Sequence, residues 1–180
     1  ILWDMKTGKK IRTFEGHTRE VTGVCMSSSG DVLVTCSWDK TAILWDMRTG
    51  KKIRTFEGHS YVVTGVCISS SGDELVTCSW DKTAILWDMR TGKKIVTFEG
   101  HTHWVICLIV HKNILYSGSG DRTIRAWNLD TNECITALQG HTNSVKCLIV
   151  HKNILYSGSG DKTIRAWNLD TNECITALQG

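Results

Sequence analysis

The chain has 180 residues, 41% of them hydrophobic and 22% charged, which is ordinary for a globular protein. Its 21 basic and 18 acidic residues give a formal net charge of +3, and this near balance argues against nucleic acid as a partner. No stretch approaches the roughly 18 consecutive apolar residues of a membrane span, so the sequence argues against a membrane partner as well.

Short strands separated by turns follow one another along the chain. After a Gly-His pair at 16–17, residues 21–26, 32–37, 42–46 and 51–56 are rich in β-branched and other apolar residues and are bounded by Ser, Gly, Asp and Thr. This pattern predicts four short antiparallel strands in a meander. The same order of segments follows each later Gly-His pair.

Tryptophan marks the period of this repetition. On the predicted third strand of each unit, Trp-Asp or Trp-Asn occurs at 3, 45, 87, 127 and 167, at spacings of 42, 42, 40 and 40 residues. A repeat of this length that opens on Gly-His is typical of the four-stranded blade of a β-propeller. We predict an all-β fold with an incomplete ring in one chain. A partial blade at 1–15 contains only a third and a fourth strand, and residues 16–180 form four complete blades, at about 17–57, 59–99, 101–139 and 141–179.

The eight cysteines include no Cys-x-x-Cys pair and give no sign of a zinc site. We interpret all eight as small buried hydrophobic residues. In simple hairpin register, Cys25 and Cys36 are expected on opposite faces of their sheet. Free thiols in this number favour a reducing compartment, so the predicted location is the cytoplasm, with the nucleus as the alternative.

Four polar or aromatic residues recur in register in every complete unit: a His, a Ser or Thr on the second strand, an Asp in the next turn and a Trp on the third strand. The sets are His17, Thr35, Asp39 and Trp45; His59, Thr77, Asp81 and Trp87; His101, Ser117, Asp121 and Trp127; and His141, Ser157, Asp161 and Trp167. In these residues, and over essentially its whole length, the chain resembles the WD-repeat β-propeller family.

The resemblance implies that each set forms a buried hydrogen-bonded brace, running from the Trp indole through the hydroxyl and the His to the Asp. A buried polar group needs such partners. The set recurs in every blade and its hydroxyl is Thr in two units and Ser in two, so we interpret it as structural and not as a hydrolytic triad. His101 and His103 could offer two imidazoles to a metal, but no carboxylate or thiolate supports them. We predict no enzyme activity, no cofactor and no metal.

The repeats form two near-duplicate pairs that differ at six and at four positions. Half of these differences fall just after Gly-His, where in this family the loop enters the innermost strand on the top face. Trp38 and Trp80 precede the turn Asp on the same face, and we leave open whether they pack over the neighbouring blade or anchor a partner. The predicted partner-binding residues are Arg19, Glu20, Trp38, Tyr61, Val62, Trp80, His103, Trp104, Asn143, Ser144 and Lys146.

These residues predict a non-enzymatic interaction scaffold that binds a protein or peptide segment on the top face. The alternative is a self-assembling structural module, either a half-ring that dimerises into an eight-bladed ring or an engineered, duplicated scaffold without a dedicated ligand. An open ring exposes the apolar sides of its terminal blades. Either further blades of a longer chain or a homodimer is expected to cover them.

Overall fold

The computed structural model describes residues 1–179 and contains β-strands but no helix in that range. Antiparallel pairing joins consecutive strands into one two-stranded sheet, the N-terminal hairpin, and four four-stranded sheets, blades 1 to 4. The strands are β1 (Leu2–Trp3) and β2 (Lys10–Arg12) in the hairpin; β3 (Val21–Met26), β4 (Val32–Ser37), β5 (Thr41–Asp46) and β6 (Lys52–Glu57) in blade 1; β7 (Val63–Ile68), β8 (Glu74–Ser79), β9 (Ala84–Asp88) and β10 (Lys94–Phe98) in blade 2; β11 (Val105–His111), β12 (Ile114–Ser119), β13 (Ile124–Asn128) and β14 (Cys134–Leu138) in blade 3; and β15 (Val145–His151), β16 (Ile154–Ser159), β17 (Thr163–Asn168) and β18 (Cys174–Gln179) in blade 4.

The predicted architecture is confirmed: four complete blades follow a two-stranded partial blade, and the ring is open. The domain limits drawn from the sequence, at 15/16 and between the repeats, stay a prediction. No helix long and apolar enough to cross a membrane occurs in residues 1–179.

The hydrophobic cores lie between successive blades. We call the side of a blade that faces the preceding blade its head, and the opposite side its tail. In the first core, Phe56 and Val34 from the tail of blade 1 pack with Val63, Leu75 and Trp87 from the head of blade 2. The same arrangement repeats between blades 2 and 3 and between blades 3 and 4. Because burial of each such side chain stabilises the fold by ~1.5–3 kcal/mol, neighbouring blades depend on one another.

Glycine lets the two inner strands of each blade pack closely, and it does so from opposite strands in the two blade types. In blades 1 and 2 a Gly on the innermost strand lies opposite a Cys on the second strand, as in the pair Gly23 and Cys36. In blades 3 and 4 the order is reversed, as in Cys107 and Gly118. A Cβ placed on Gly118 would lie 2.6 Å from the Cys107 sulfur, so each pair has room for one side chain.

Two predictions about cysteine are wrong. Cys134, Cys147 and Cys174 are exposed, and only Cys36 and Cys78 are fully buried. Cys134 and Cys174 lie on outermost strands, and Cys147 lies on the tail of blade 4, which no described residue covers.

Cys25 and Cys36 also share one face of their sheet. The turn between β3 and β4 places Met26 opposite Leu33, so Cys25 pairs with Val34, and Val34 has the same orientation as Cys36 two residues later.

Candidate protein-interaction face

The structure brings the four groups of each brace into one hydrogen-bonded chain, of which blade 2 is an example. The Trp87 indole nitrogen donates to the Thr77 hydroxyl at 2.9 Å, the hydroxyl lies 2.8 Å from Nε2 of His59, and Nδ1 of His59 lies 2.7 Å from Asp81. The network assigns the protons, because Trp only donates and ionised Asp only accepts. The Thr77 hydroxyl therefore donates to Nε2, and Nδ1–H donates to the carboxylate.

Each Asp also fixes the two loops at the top of its blade. Asp81 accepts hydrogen bonds from the backbone of Ser60, after Gly-His, and from the backbone and hydroxyl of Thr83, after the turn. Burial raises the pKa of Asp81, but the hydrogen bonds from His59 and Thr83 outweigh it and lower that pKa to about 2. The pKa values of the three equivalent aspartates, Asp39, Asp121 and Asp161, are lowered as well.

The brace hydroxyls are placed for support and not for attack on a substrate. Thr77, Ser117 and Ser157 have no exposed surface, and both hydrogen-bonding roles of each hydroxyl are used by Trp and His. Both ring nitrogens of His101 are likewise engaged within its brace, so this His is not free to share a metal with His103.

Four aromatic residues from three blades form a continuous surface, which we call the aromatic arc: Trp38, Tyr61, Trp80 and Trp104. Trp80 lies at its centre. Its ring stacks on Trp104 of the next blade at 4.5 Å between centroids and 15° between planes, and it contacts Tyr61 at 6.1 Å and Trp38 at 5.6 Å. The rings therefore pack across blades, while Trp38 and Trp104 stay 40% and 42% exposed.

The arc ends where glycine replaces tryptophan before the turn Asp. Gly120 leaves room for the His103 ring, whose Nδ1 lies 2.3 Å from the position that a Cβ on Gly120 would take. His103 also packs against Trp104, at 4.8 Å. In blade 4, Gly160 lies beside the Asn143 side chain. The turn position before the brace Asp is thus small in blades 3 and 4, whereas blades 1 and 2 carry a tryptophan of the arc there.

Arg19, Glu20 and Ser144 are also predicted partner-binding residues, and each lies in a loop before an innermost strand. Arg19 and Glu20 are exposed in the loop before β3, where the Glu20 carbonyl accepts a hydrogen bond from the backbone of Trp38. Ser144 is half-buried, and its carbonyl accepts a hydrogen bond from the backbone of Gly160.

Val62 and Lys146 differ in position from the other predicted partner-binding residues, and their part in binding stays a prediction. Val62 is buried, with 6% of its surface exposed, because its position leads directly into the core strand β7. Lys146 lies within β15, at a position whose counterparts Thr22 and Thr64 bond to the next blade.

A comparison of the repeats does not single out the cation that follows each turn Asp, because the charge at that position is the same in every repeat. Lys40, Lys82, Arg122 and Lys162 are exposed at this position and hold a left-handed backbone, with φ between 68° and 75°. Their fixed place after every brace Asp was the available signal.

A protein-family model described as "WD domain, G-beta repeat" matches residues 8–46, 50–88, 92–128 and 132–168. The chain belongs to the WD40 family. Each matched segment begins in the turn before an outermost strand and ends just after the brace Trp of the next blade. WD40 propellers generally act as non-catalytic scaffolds that bind protein partners.

Two curated relatives each match a segment about one repeat long. A segment of 42 residues is 45% identical to "Eukaryotic translation initiation factor 3 subunit I" of Bombyx mori, covering 23% of this chain and 13% of that protein. A segment of 41 residues is 37% identical to "Periodic tryptophan protein 2 homolog" of Mus musculus, covering 23% of this chain and 4% of that protein.

Solved WD40 structures match almost the whole chain. Those described as "Structure of U3-55K" and "Crystal structure of RRP9 WD40 repeats" each superpose with a TM-score of 0.89 at 26% sequence identity. Each match covers 94% of this chain and 54% of the solved one, so the chain spans about half the length of these structures.

Proposed function

We propose that the chain is an interaction module that binds a protein or peptide segment on the aromatic arc. The observation that carries this proposal is the exposure of large aromatic side chains on a rigid support: Trp38, Tyr61 and Trp104 are 40%, 51% and 42% exposed. Trp and Tyr are the residues that most often dominate the binding energy of protein interfaces. Scattered exposed apolar residues need no explanation, but a contiguous patch does.

The arc is supported so that a partner meets it in one conformation. Its rings pack on one another across three blades, and the backbone of Trp80 donates to the carbonyl of Val62, a buried residue. Asp81, held by the brace, fixes the turn that follows Trp80. Binding to preorganised side chains loses less conformational entropy than binding to mobile ones.

The charges around the arc favour a protein partner over nucleic acid. Lys40 and Lys82 follow the two turn tryptophans, but Glu20 and the ionised brace aspartates lie among them, so the face carries both signs. Mixed charge around aromatic anchors is typical of protein interfaces, whereas a nucleic-acid surface carries a continuous basic track. WD40 propellers in general bind proteins.

We also propose a non-enzymatic role and a cytoplasmic or nuclear location. The Ser and Thr hydroxyls of the braces are committed to structural hydrogen bonds, which supports the first proposal. The second is supported by eight cysteines that are all free, as expected in a reducing compartment.

The test is a selection of random displayed peptides on the wild-type chain, followed by calorimetric titration of the selected peptides. Replacing Trp38→Ala together with Trp80→Ala is expected to weaken binding at least ~30-fold, because truncation of an interface anchor costs about 2 kcal/mol or more. Gly120 and Gly160 occupy the same turn position in blades 3 and 4, so the turn itself folds without an indole.

The matched control is Ile53→Ala with Ile95→Ala. Each of these isoleucines is 48% exposed on an outer strand, away from the arc, and the control is expected to bind like the wild type. Equal binding by the tryptophan variant and the wild type, with the fold intact by circular dichroism, contradicts the proposal. Tighter binding of a random single-stranded RNA pool than of any selected peptide contradicts the class of partner.

A further inference from the structure

Two thiols from neighbouring blades occupy the same place on the innermost strands of blades 1 and 2. Cys25 lies on β3 and Cys67 on β7, each one residue before the end of its strand. Both are partly exposed, whereas Cys36 and Cys78 on the second strands are fully buried. Neither thiol belongs to a brace or to the aromatic arc, so the proposed function leaves both unused.

The backbones of β3 and β7 approach closely beside these cysteines. A Cβ placed on Gly23 would lie 3.7 Å from the Gly65 Cα. Cys25 lies two residues after Gly23 and points to the same side of β3, the side that faces blade 2. The equivalent step along β7 leads from Gly65 to Cys67. The Cys25 side chain therefore meets β7 at Cys67, between two blades that the structure describes in full.

The two sulfurs take equivalent positions on their strands and contact each other. Sγ of Cys25 lies 3.8 Å from the Met26 carbonyl oxygen, and Sγ of Cys67 lies 3.5 Å from the Ile68 carbonyl oxygen. The Cys25 sulfur also accepts hydrogen bonds from the Cys67 thiol and from the backbone N–H of Ile68. The pair is therefore assembled before any reaction takes place.

These contacts make the two thiols chemically unequal. The hydrogen bond from Cys67 lowers the pKa of Cys25 below its ordinary value of 9.0, and the backbone N–H of Ile68 acts in the same direction, against the effect of burial. The hydrogen bond to Cys25 and then burial raise the pKa of Cys67. Cys25 thus supplies the thiolate of the pair, which is the form of cysteine that reacts with oxidants.

We propose that Cys25 and Cys67 form a reversible disulfide between blades 1 and 2 when the protein meets hydrogen peroxide. In the first step the Cys25 thiolate attacks a peroxide oxygen: an S–O bond forms, the O–O bond breaks, and the other oxygen leaves as water after it takes up a proton. The product is a sulfenic acid on Cys25.

In the second step the Cys67 sulfur attacks the Cys25 sulfur. An S–S bond forms, the S–O bond breaks, and the hydroxyl group leaves as water with the proton of Cys67. The two sulfurs together lose two electrons, which reduce the peroxide. A dithiol reductant restores both thiols by exchange, so the pair stays reduced in a reducing compartment until peroxide is present.

The thiols of blades 3 and 4 are not placed for this reaction. Cys107 and Cys147 lie two residues earlier on their strands, and burial raises the pKa of Cys107 to about 12. At the position of the proposed disulfide these blades carry Ile109 and Ile149. The reaction is therefore confined to blades 1 and 2.

Oxidation of the fully reduced chain with a small molar excess of hydrogen peroxide tests the proposal. After the peroxide is removed and the protein is unfolded, the number of reactive thiols is expected to fall from eight to six. The product is expected to keep the 20.1 kDa mass of one chain, and a dithiol is expected to restore all eight thiols.

Tryptic peptide mapping locates the bond. Residues 20–40 are expected to be linked to residues 55–82, and because these peptides also contain Cys36 and Cys78, fragmentation by mass spectrometry must assign the link to Cys25 and Cys67.

Two single variants separate the two steps. Cys67→Ser keeps the attacking thiol and is expected to accumulate a sulfenic acid on Cys25, which dimedone traps, without a disulfide within the chain. Cys25→Ser is expected to form neither product between these strands. The matched control is Cys134→Ser, because Cys134 is exposed on an outermost strand away from the pair. This control is expected to form the disulfide as the wild type does.

Three results overturn the proposal in protein whose fold is intact by circular dichroism. The first is a thiol count that stays at eight in the wild type. The second is a bond from Cys25 to Cys36, its neighbour on the same face of blade 1, in place of Cys67. The third is a loss of thiols in Cys25→Ser that equals the loss in the wild type.

Discussion

The substitution Thr77→Val isolates the contribution of one brace to stability. Valine has the shape of threonine but lacks the hydroxyl, and Thr77 has no exposed surface. Two buried groups then lose their partner: the Trp87 indole N–H, which donates to Thr77 at 2.9 Å, and Nε2 of His59, which lies 2.8 Å from the hydroxyl. Water cannot replace the hydroxyl at a site that the neighbouring blade covers.

The expected loss follows from the cost of an unsatisfied buried polar group. Each such group costs about 1–3 kcal/mol, and the more apolar Val side chain recovers about 0.8 kcal/mol. With each group at the middle of that range, about 2 kcal/mol, the free energy of unfolding is expected to fall by about 3 kcal/mol after this gain is subtracted. Thr77→Ser is the matched control, because blades 3 and 4 use Ser at this position. It keeps the hydroxyl, deletes one methyl group and is expected to cost only about 1 kcal/mol.

Urea unfolding followed by circular dichroism measures both variants against the wild type. With an m-value of about 2 kcal/mol/M, the midpoint of Thr77→Val is expected about 1.5 M below that of the wild type. The m-values must agree for this comparison to report stability alone. If Thr77→Val unfolds within about 0.5 kcal/mol of Thr77→Ser, the hydroxyl does not link Trp and His energetically, and the reasoning about the brace is refuted.

Two further predictions concern glycine packing and pH. Gly118→Ala is expected to destabilise the chain by about 1–3 kcal/mol in thermal melting, because the new Cβ meets Val145 of the next blade and a cysteine sulfur. Gly158→Ala, which meets only a sulfur, is expected to cost less; equal melting temperatures would count against this account. Because the folded pKa of Asp81, about 2, lies below its ordinary value of 3.8, its stabilising effect is complete above pH 3.8 and lost as the pH falls towards 2. The difference in free energy of unfolding between the wild type and Asp81→Asn is therefore expected to shrink as the pH falls through that window. A difference that stays constant with pH contradicts this prediction.

The strands and the blade architecture could be predicted because they depend on local patterns. The segments 21–26 and 32–37, predicted from β-branched and other apolar residues between turn signals, are the observed strands β3 and β4. Repetition strengthened each prediction, because four units had to satisfy the same interpretation. The all-β class needed only this local information.

Side-chain exposure within the site could not be predicted in the same way, since it depends on the neighbouring blade. Val62 and Tyr61 are adjacent after Gly-His, yet one is 6% and the other 51% exposed. The stacking of Trp80 on Trp104 joins residues 24 positions apart in different repeats, and no spacing within one repeat contains it. Cys147 is exposed against its prediction, whereas Cys107, at the same position in blade 3, is partly covered by the following blade.

The matched segments 8–46, 50–88, 92–128 and 132–168 each contain one whole brace, and the junctions between them lie in turns before the outermost strands. A duplication or exchange of one segment at these junctions therefore never divides a brace between two sources. The new segment brings its own top loops and supplies an outer strand to the blade before it. Recombination can change the number of blades and the chemistry of the binding face in one step, while every unit keeps the hydrogen bonds that it needs to fold.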